Sequence, residues 1–103
     1  MTDSGMATTI EGLEVHRLTV HKDNRGWFKE NWSGQKLTPK QHNVSFNAKA
    51  GATRGMHAEP WDKWVSVATG RVFGAWVDMR DGSATFGEKF TCEIGPDTAV
   101  FVP

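Results

Sequence analysis

Tyrosine is absent and cysteine occurs once, at Cys92, in a chain of 103 residues. One thiol cannot close an internal disulfide or supply a CxxC metal site. It fits a reducing compartment, so a cytoplasmic protein is expected. The missing phenol removes one of the commoner general acids from any mechanism built on these residues. A surplus of either charge is missing too: twelve Lys and Arg stand against twelve Asp and Glu. That balance withholds the bulk attraction on which nucleic-acid and anionic-membrane binding draw, and neither partner is expected. No apolar run approaches the roughly 18 residues that a membrane span requires. P-loop, GxSxG and dinucleotide-binding glycine signatures are all lacking. The length allows one domain.

What is present is punctuation. Eleven glycines separate short β-prone runs, and no stretch longer than a turn or two carries the spacing of an amphipathic helix. The runs are Glu14–Val20, Gly26–Trp32, Val44–Asn47, Lys63–Ala68, Arg71–Met79, Glu88–Ile94 and Thr98–Val102. Many short strands divided by turn signals predict an all-β sandwich or barrel. Residues Met1–Thr9 are small and polar and read as a flexible tail, leaving 10–103 as the folded part. Lys63–Ala68 and Arg71–Met79, joined by Thr69-Gly70, read as a hairpin. Lys63 then shares a strand face with Val65 and Val67 and points toward the mouth of a barrel, where an ammonium needs either a function or a carboxylate such as Asp62. Thr98–Val102 reads as a strand that Pro103 cuts short, with an unpaired edge and an open core, so the barrel is expected to be incomplete at its C-terminus.

Four segments carry residues of chemical interest. In Asp23-Asn24-Arg25-Gly26-Trp27-Phe28-Lys29-Glu30, Arg25 offers a guanidinium fork to a phosphate and Glu30 a carboxylate to a sugar hydroxyl or base edge. A solvated surface turn would read the same way. In Thr53-Arg54-Gly55-Met56-His57, the imidazole is a candidate general base, because histidine ordinarily titrates near neutrality. A hydrogen-bonded structural histidine would fit as well. The loop Glu59-Pro60-Trp61-Asp62 leads from there to Lys63. His57 with Glu59 is too small a set for a metal, and none is expected. Asp81-Gly82-Ser83-Ala84-Thr85-Phe86-Gly87, with its Asp-Gly turn signal, reads as a connection between strands. His16, His21 and His42 sit among polar neighbours and receive no role.

The order of these segments carries more than any one of them. Ile10-Glu11-Gly12-Leu13, the Asp23–Glu30 turn, Ser45-Phe46-Asn47, Arg54-Gly55-Met56-His57, Lys63 through Phe73, Asp78-Met79-Arg80, Ser83 through Gly87 and Val100 through Pro103 together resemble the dTDP-4-dehydrorhamnose 3,5-epimerase family. The resemblance runs over nearly the whole chain from Ile10. It implies a cupin-type jelly-roll β-barrel that uses no metal or other cofactor. The activity implied is epimerisation at C3 and C5 of dTDP-4-dehydro-6-deoxyglucose, giving dTDP-4-dehydrorhamnose for dTDP-rhamnose biosynthesis. Carried over by motif, His57 is the proton-abstracting base of RGxH and Arg54 its substrate-contacting arginine. Lys63 is the lysine heading the next strand. Arg25 and Glu30 contact the nucleotide part of a dTDP-linked 4-keto-6-deoxy sugar, and Asn47 lies in a substrate-binding segment.

The chain departs from the family pattern in four places, one of them a loop to Lys63 shorter than common. The family's opposite-face acid is a tyrosine, absent here. Its second histidine and the carboxylate that orients the base fall beyond the segment ending in Pro103, so residues 10–103 are expected to be the N-terminal portion of the epimerase domain and to turn over little alone. Ala58 and Glu59 replace the usual aromatic and glutamine after the RGxH histidine. The resemblance further implies a homodimer, and in some relatives fusion to the dTDP-4-dehydrorhamnose reductase that acts next. A sister nucleotide keto-sugar epimerase or isomerase, or a sugar-nucleotide-binding domain without catalysis, would share these motifs.

Overall fold

The computed structural model describes residues 5–103. Its strands are β1 (Met6–Ala7), β2 (Glu14–Arg17), β3 (Val20–Asp23), β4 (Gly26–Lys29), β5 (Lys63–Ser66), β6 (Val72–Val77), β7 (Lys89–Ile94) and β8 (Thr98–Val102), and the described residues contain no helix. All pairings are antiparallel. One four-stranded sheet has the order β1-β2-β8-β5, and β3-β4 and β6-β7 form two-stranded sheets.

The register of the large sheet explains its stability. Val15 and Val65 both stand opposite Val100, one on each side. The result is a row of β-branched side chains across three strands, a pairing that suits a half-buried pleated surface. This row faces a core of Ile10, Leu13, Val67, Ile94 and Val100, closed by Trp76, Phe90 and Cys92 of β6 and β7. The core therefore lies between the large sheet and the β6-β7 pair. Burying each of its larger side chains contributes about 1.5–3 kcal/mol. Within β6, Gly74 is required by a close approach. A Cβ there would lie 2.4 Å from the Trp76 ring, so only glycine lets that indole fold back over its own strand.

Five expectations are corrected. The runs Lys63–Ala68 and Arg71–Met79 do not pair: β5 lies against β8, and β6 against β7. Thr69-Gly70 marks a corner where the chain leaves one sheet for the other, with Gly70 at φ 84°. β8, expected to leave an open edge, is paired along both edges, to β2 and β5. The run Glu14–Val20 is broken, because Leu18 buries at a corner and donates its N–H to the Asp97 carbonyl at 2.7 Å. Val44–Asn47 forms no strand. Of the expected tail, residues 1–4 lie outside the described residues, whereas 6–9 are held. Met6 and Ala7 pair with Val15 and Glu14, Thr8 Oγ1 donates to the Leu13 carbonyl at 2.9 Å, and Thr9 Oγ1 donates to that of Lys89 at 2.6 Å.

His16 is also more than a polar strand residue. It is only 1% exposed, its Nε2 lies 3.0 Å from Glu14 Oε1, and its ring meets the Trp64 indole at 4.8 Å. It is part of the second, covered face of the large sheet.

Candidate functional site

The β3-β4 hairpin turns at Asn24-Arg25, with Asp23 opposite Gly26. Asp23 Oδ1 accepts the Arg25 backbone N–H at 2.8 Å, and Oδ2 accepts Nη2 at 2.6 Å and Nε at 3.2 Å. This fork holds the Asp23 carboxyl below the ordinary carboxylate range and fixes the guanidinium on its own turn. The Arg25 side chain is 86% exposed, so its outer N–H groups face solvent at the rim. Such a pair adds little stability; its effect is orientation. Glu30 follows β4, exposed and without a hydrogen bond or ion pair among the described residues.

Sequence reasoning passed over Lys29, which seats that hairpin. Its Nζ donates to the carbonyls of Val67 at 2.7 Å and Pro96 at 2.9 Å. Burial pushes its pKa down, with Asp97 opposing. Alternation gave no signal for it, because Trp27 on the same strand face is itself exposed.

Asn47, Arg54 and His57 lie on the irregular segment between β4 and β5. The structure brings the first two together: Arg54 Nε donates to Asn47 Oδ1 at 2.7 Å. His57 is exposed, and no hydrogen bond or ion pair engages its ring among the described residues. Lys63, first residue of β5, pairs in register with Val102 and shares the face of Val65. Its carboxylate partner is Glu59, with Nζ to Oε1 at 2.7 Å, and not the adjacent Asp62. Glu59 lies two residues after His57, so the ion pair places the end of the His57 segment beside Lys63. The structure joins Arg54 to Asn47 and Glu59 to Lys63; it does not join Arg25 or Glu30 to either pair. Among the described residues no three His, Cys, Asp or Glu side chains converge as a metal-ligand set.

A buried carboxylate lies at the end of the run Arg71–Met79, just past β6. Asp78, 3% exposed, accepts Arg80 Nε and the Arg80 backbone N–H on Oδ1. On Oδ2 it accepts Arg80 Nη2 at 3.0 Å, Ser83 Oγ at 2.5 Å and Thr85 Oγ1 at 2.6 Å. Arg80 Nη2 also donates to the Glu11 carbonyl at 2.6 Å, and Thr85 Oγ1 accepts the Glu11 N–H. One carboxylate thus locks the β6-β7 connection to the turn before β2. Its place after Trp76 on the inward face of β6 was the sequence signal.

The Arg80 guanidinium and the two hydroxyls hold Asp78 far below the ordinary carboxylate range. A depressed native pKa stabilises the fold at pH values above the unfolded carboxyl's, about 3.9. That stabilisation is lost as pH falls from there toward the native value. Asp78→Asn is therefore expected to lower the urea midpoint at pH 7, and the gap to wild type should shrink steadily below about pH 4. A gap of constant size from pH 7 to pH 3 would show that the ionised carboxylate is not what holds the connection.

The family model for dTDP-4-dehydrorhamnose 3,5-epimerase matches residues 7–103. A protein RmlC homolog of Streptococcus pyogenes serotype M6 is 45% identical over 91% of this chain and 53% of its own length. The dTDP-4-dehydrorhamnose 3,5-epimerase of Neisseria gonorrhoeae is 41% identical over 79% of this chain and 27% of its own. Among solved structures, RmlC from Streptococcus suis in complex with dTDP-D-xylose superposes with a TM-score of 0.86 at 41% identity, covering 100% of this chain and 59% of that one. The chain thus spans about half the length of the first curated relative it matches, and its fold is that of the Streptococcus suis protein.

Proposed function

The chain belongs to the dTDP-4-dehydrorhamnose 3,5-epimerase family, and on that footing we propose that the protein epimerises C3 and C5 of dTDP-4-dehydro-6-deoxyglucose, using His57 as base and Lys63 as oxyanion partner. The observation that carries the proposal is the tether between them: the segment bearing His57 ends on Glu59, ion-paired at 2.7 Å to Lys63 at the head of β5.

The chemistry asked of these groups is modest. The C4 ketone acidifies the hydrogens on C3 and C5. Imidazole takes one, the C–H electron pair moves into a C=C bond, and the charge develops on the C4 oxygen. An ammonium set beside that oxygen stabilises it where water is excluded. Reprotonation of the carbon from the opposite face, with a proton drawn from solvent, inverts the centre and restores the ketone, and the imidazolium returns its proton to solvent. Arg54, oriented by Asn47, meets the substrate on the His57 side. Arg25 and Glu30 serve the nucleotide from the rim, where a guanidinium suits a diphosphate. Residues 10–103 then form the N-terminal portion of the epimerase domain of a cytoplasmic homodimer. Its 4-keto product is next consumed by a dTDP-4-dehydrorhamnose reductase, fused or separate.

Incubating the full-length protein with the dTDP-4-keto sugar in D2O tests this directly. Deuterium is expected at both C3 and C5 by NMR. Exchange at one carbon only would identify a sister epimerase, and binding without exchange would leave a sugar-nucleotide-binding domain.

A further inference from the structure

We propose that Glu59 is a positioning residue: its carboxylate fixes the Lys63 ammonium and, through the same contact, docks the His57-bearing segment on the strand that carries Lys63. The inference rests on the assignment of His57 and Lys63 made above. It concerns a residue where this chain departs from the pattern of the family it resembles, carrying Ala58-Glu59 after the RGxH histidine.

The geometry has three parts. Lys63 is fixed from the sheet side, because its backbone pairs with Val102 of the central strand β8. Glu59 reaches it from the irregular side, Nζ to Oε1 at 2.7 Å, with both side chains about one-third exposed. The hydrogen bonds made by residues 38–62 otherwise stay within that segment: Arg54 to Asn47 and Phe46, Thr53 to Gly51, Gln41 to Asn43, and Ala52 to Lys49. Among the described residues, the Glu59–Lys63 pair is the hydrogen bond or ion pair that ties this segment to the strands.

The local sequence favours such a tether. Pro60 fixes its own φ and biases Glu59 to extended backbone, so the link from Glu59 to Lys63 has few conformations to lose. Closing so short a loop costs little entropy. A partly exposed ion pair of this kind adds little to global stability. Its consequence is geometric: His57, two residues upstream, and Lys63 are held at one spacing. A misplacement of about 1 Å in such a pair of groups can cost as much as 10²-fold in rate.

The test is a double-substitution cycle in the full-length protein, read by deuterium wash-in. Glu59→Ala is expected to lower kcat about tenfold or more with KM within about twofold. Glu59→Gln, which keeps an acceptor oxygen, should recover most of the loss. In a Lys63→Met background Glu59→Ala should cost nothing further, because its effect passes through Lys63. A Glu59 that merely supported the fold would cost the same factor in both backgrounds, and that result overturns the proposal. Wild-type kcat in Lys63→Met would instead overturn the role given to Lys63. Glu59 is then judged by 15N relaxation order parameters over residues 57–62. These should fall alike in Glu59→Ala, Lys63→Met and the double variant. Order parameters unchanged by Glu59→Ala would overturn the docking role irrespective of activity.

Discussion

His57→Ala is expected to slow deuterium wash-in at C3 and C5 by roughly 10²–10⁴-fold, the span that a positioned general base supplies. The size of the effect follows from the substrate. Hydrogens beside a ketone are weak acids, and water near neutral pH is a poor base for them. A basic group must therefore be both unprotonated and within reach. Imidazole is the side chain most often used as such a base. His57 meets the second need by freedom: among the described residues no hydrogen bond or ion pair engages its ring. A histidine serving the fold would be buried and partnered, as His16 is beside Glu14 and Trp64. That contrast supplies the control. Removing the exposed His57 ring should leave the urea midpoint and far-UV spectrum unchanged, whereas His16→Ala should lower the midpoint. Wash-in at the wild-type rate in His57→Ala would remove the imidazole from the chemistry altogether.

The two histidines also show where a sequence is legible and where it is not. Alternation and glycine punctuation locate strands well, because both report local backbone geometry; six of the eight strands fall within runs read that way, β1 and β3 being the exceptions. Layering is another matter. Thr69-Gly70 has the chemistry of a hairpin turn, yet the chain uses it to change sheets. The reason is that β8 needs a partner on its second edge, and β5 supplies it from 32 residues or more away in sequence. Nothing local to Thr69 encodes that demand. Asp78 and Lys29 were missed for a related reason. Each is an inward polar residue whose partners (Ser83 and Thr85 for one, the Val67 and Pro96 carbonyls for the other) are brought in by turns and loops. Ordered motifs, by contrast, named His57 and Lys63 together although they lie on different kinds of structure. Their spacing in the chain is short, and the loop between them is closed by Glu59.

Lys63→Met should lower kcat by about 10²–10³-fold, the range measured when one oxyanion donor is removed elsewhere, while leaving KM nearly unchanged. Methionine keeps the volume and the apolar stem, so β5 should pair with β8 as before. The Lys63 stem lies on the face of Val65 beside Val102, at the end of a row of valines. Its ammonium reaches outward to Glu59 from that apolar border. An ionic group so placed is weakly solvated on one side, where an interaction with a developing negative charge is stronger than in bulk water. The charge on the C4 oxygen exists only as the C–H bond breaks. An interaction confined to that moment appears in kcat and not in binding. Lys63→Arg separates charge from shape: it keeps the cation but replaces a compact ammonium with a planar fork. If position governs, Lys63→Arg should lie nearer to Lys63→Met than to wild type. Recovery to wild-type turnover in Lys63→Arg would mean that any cation at the head of β5 suffices, and that the Glu59 contact serves the segment it docks more than the ammonium it holds.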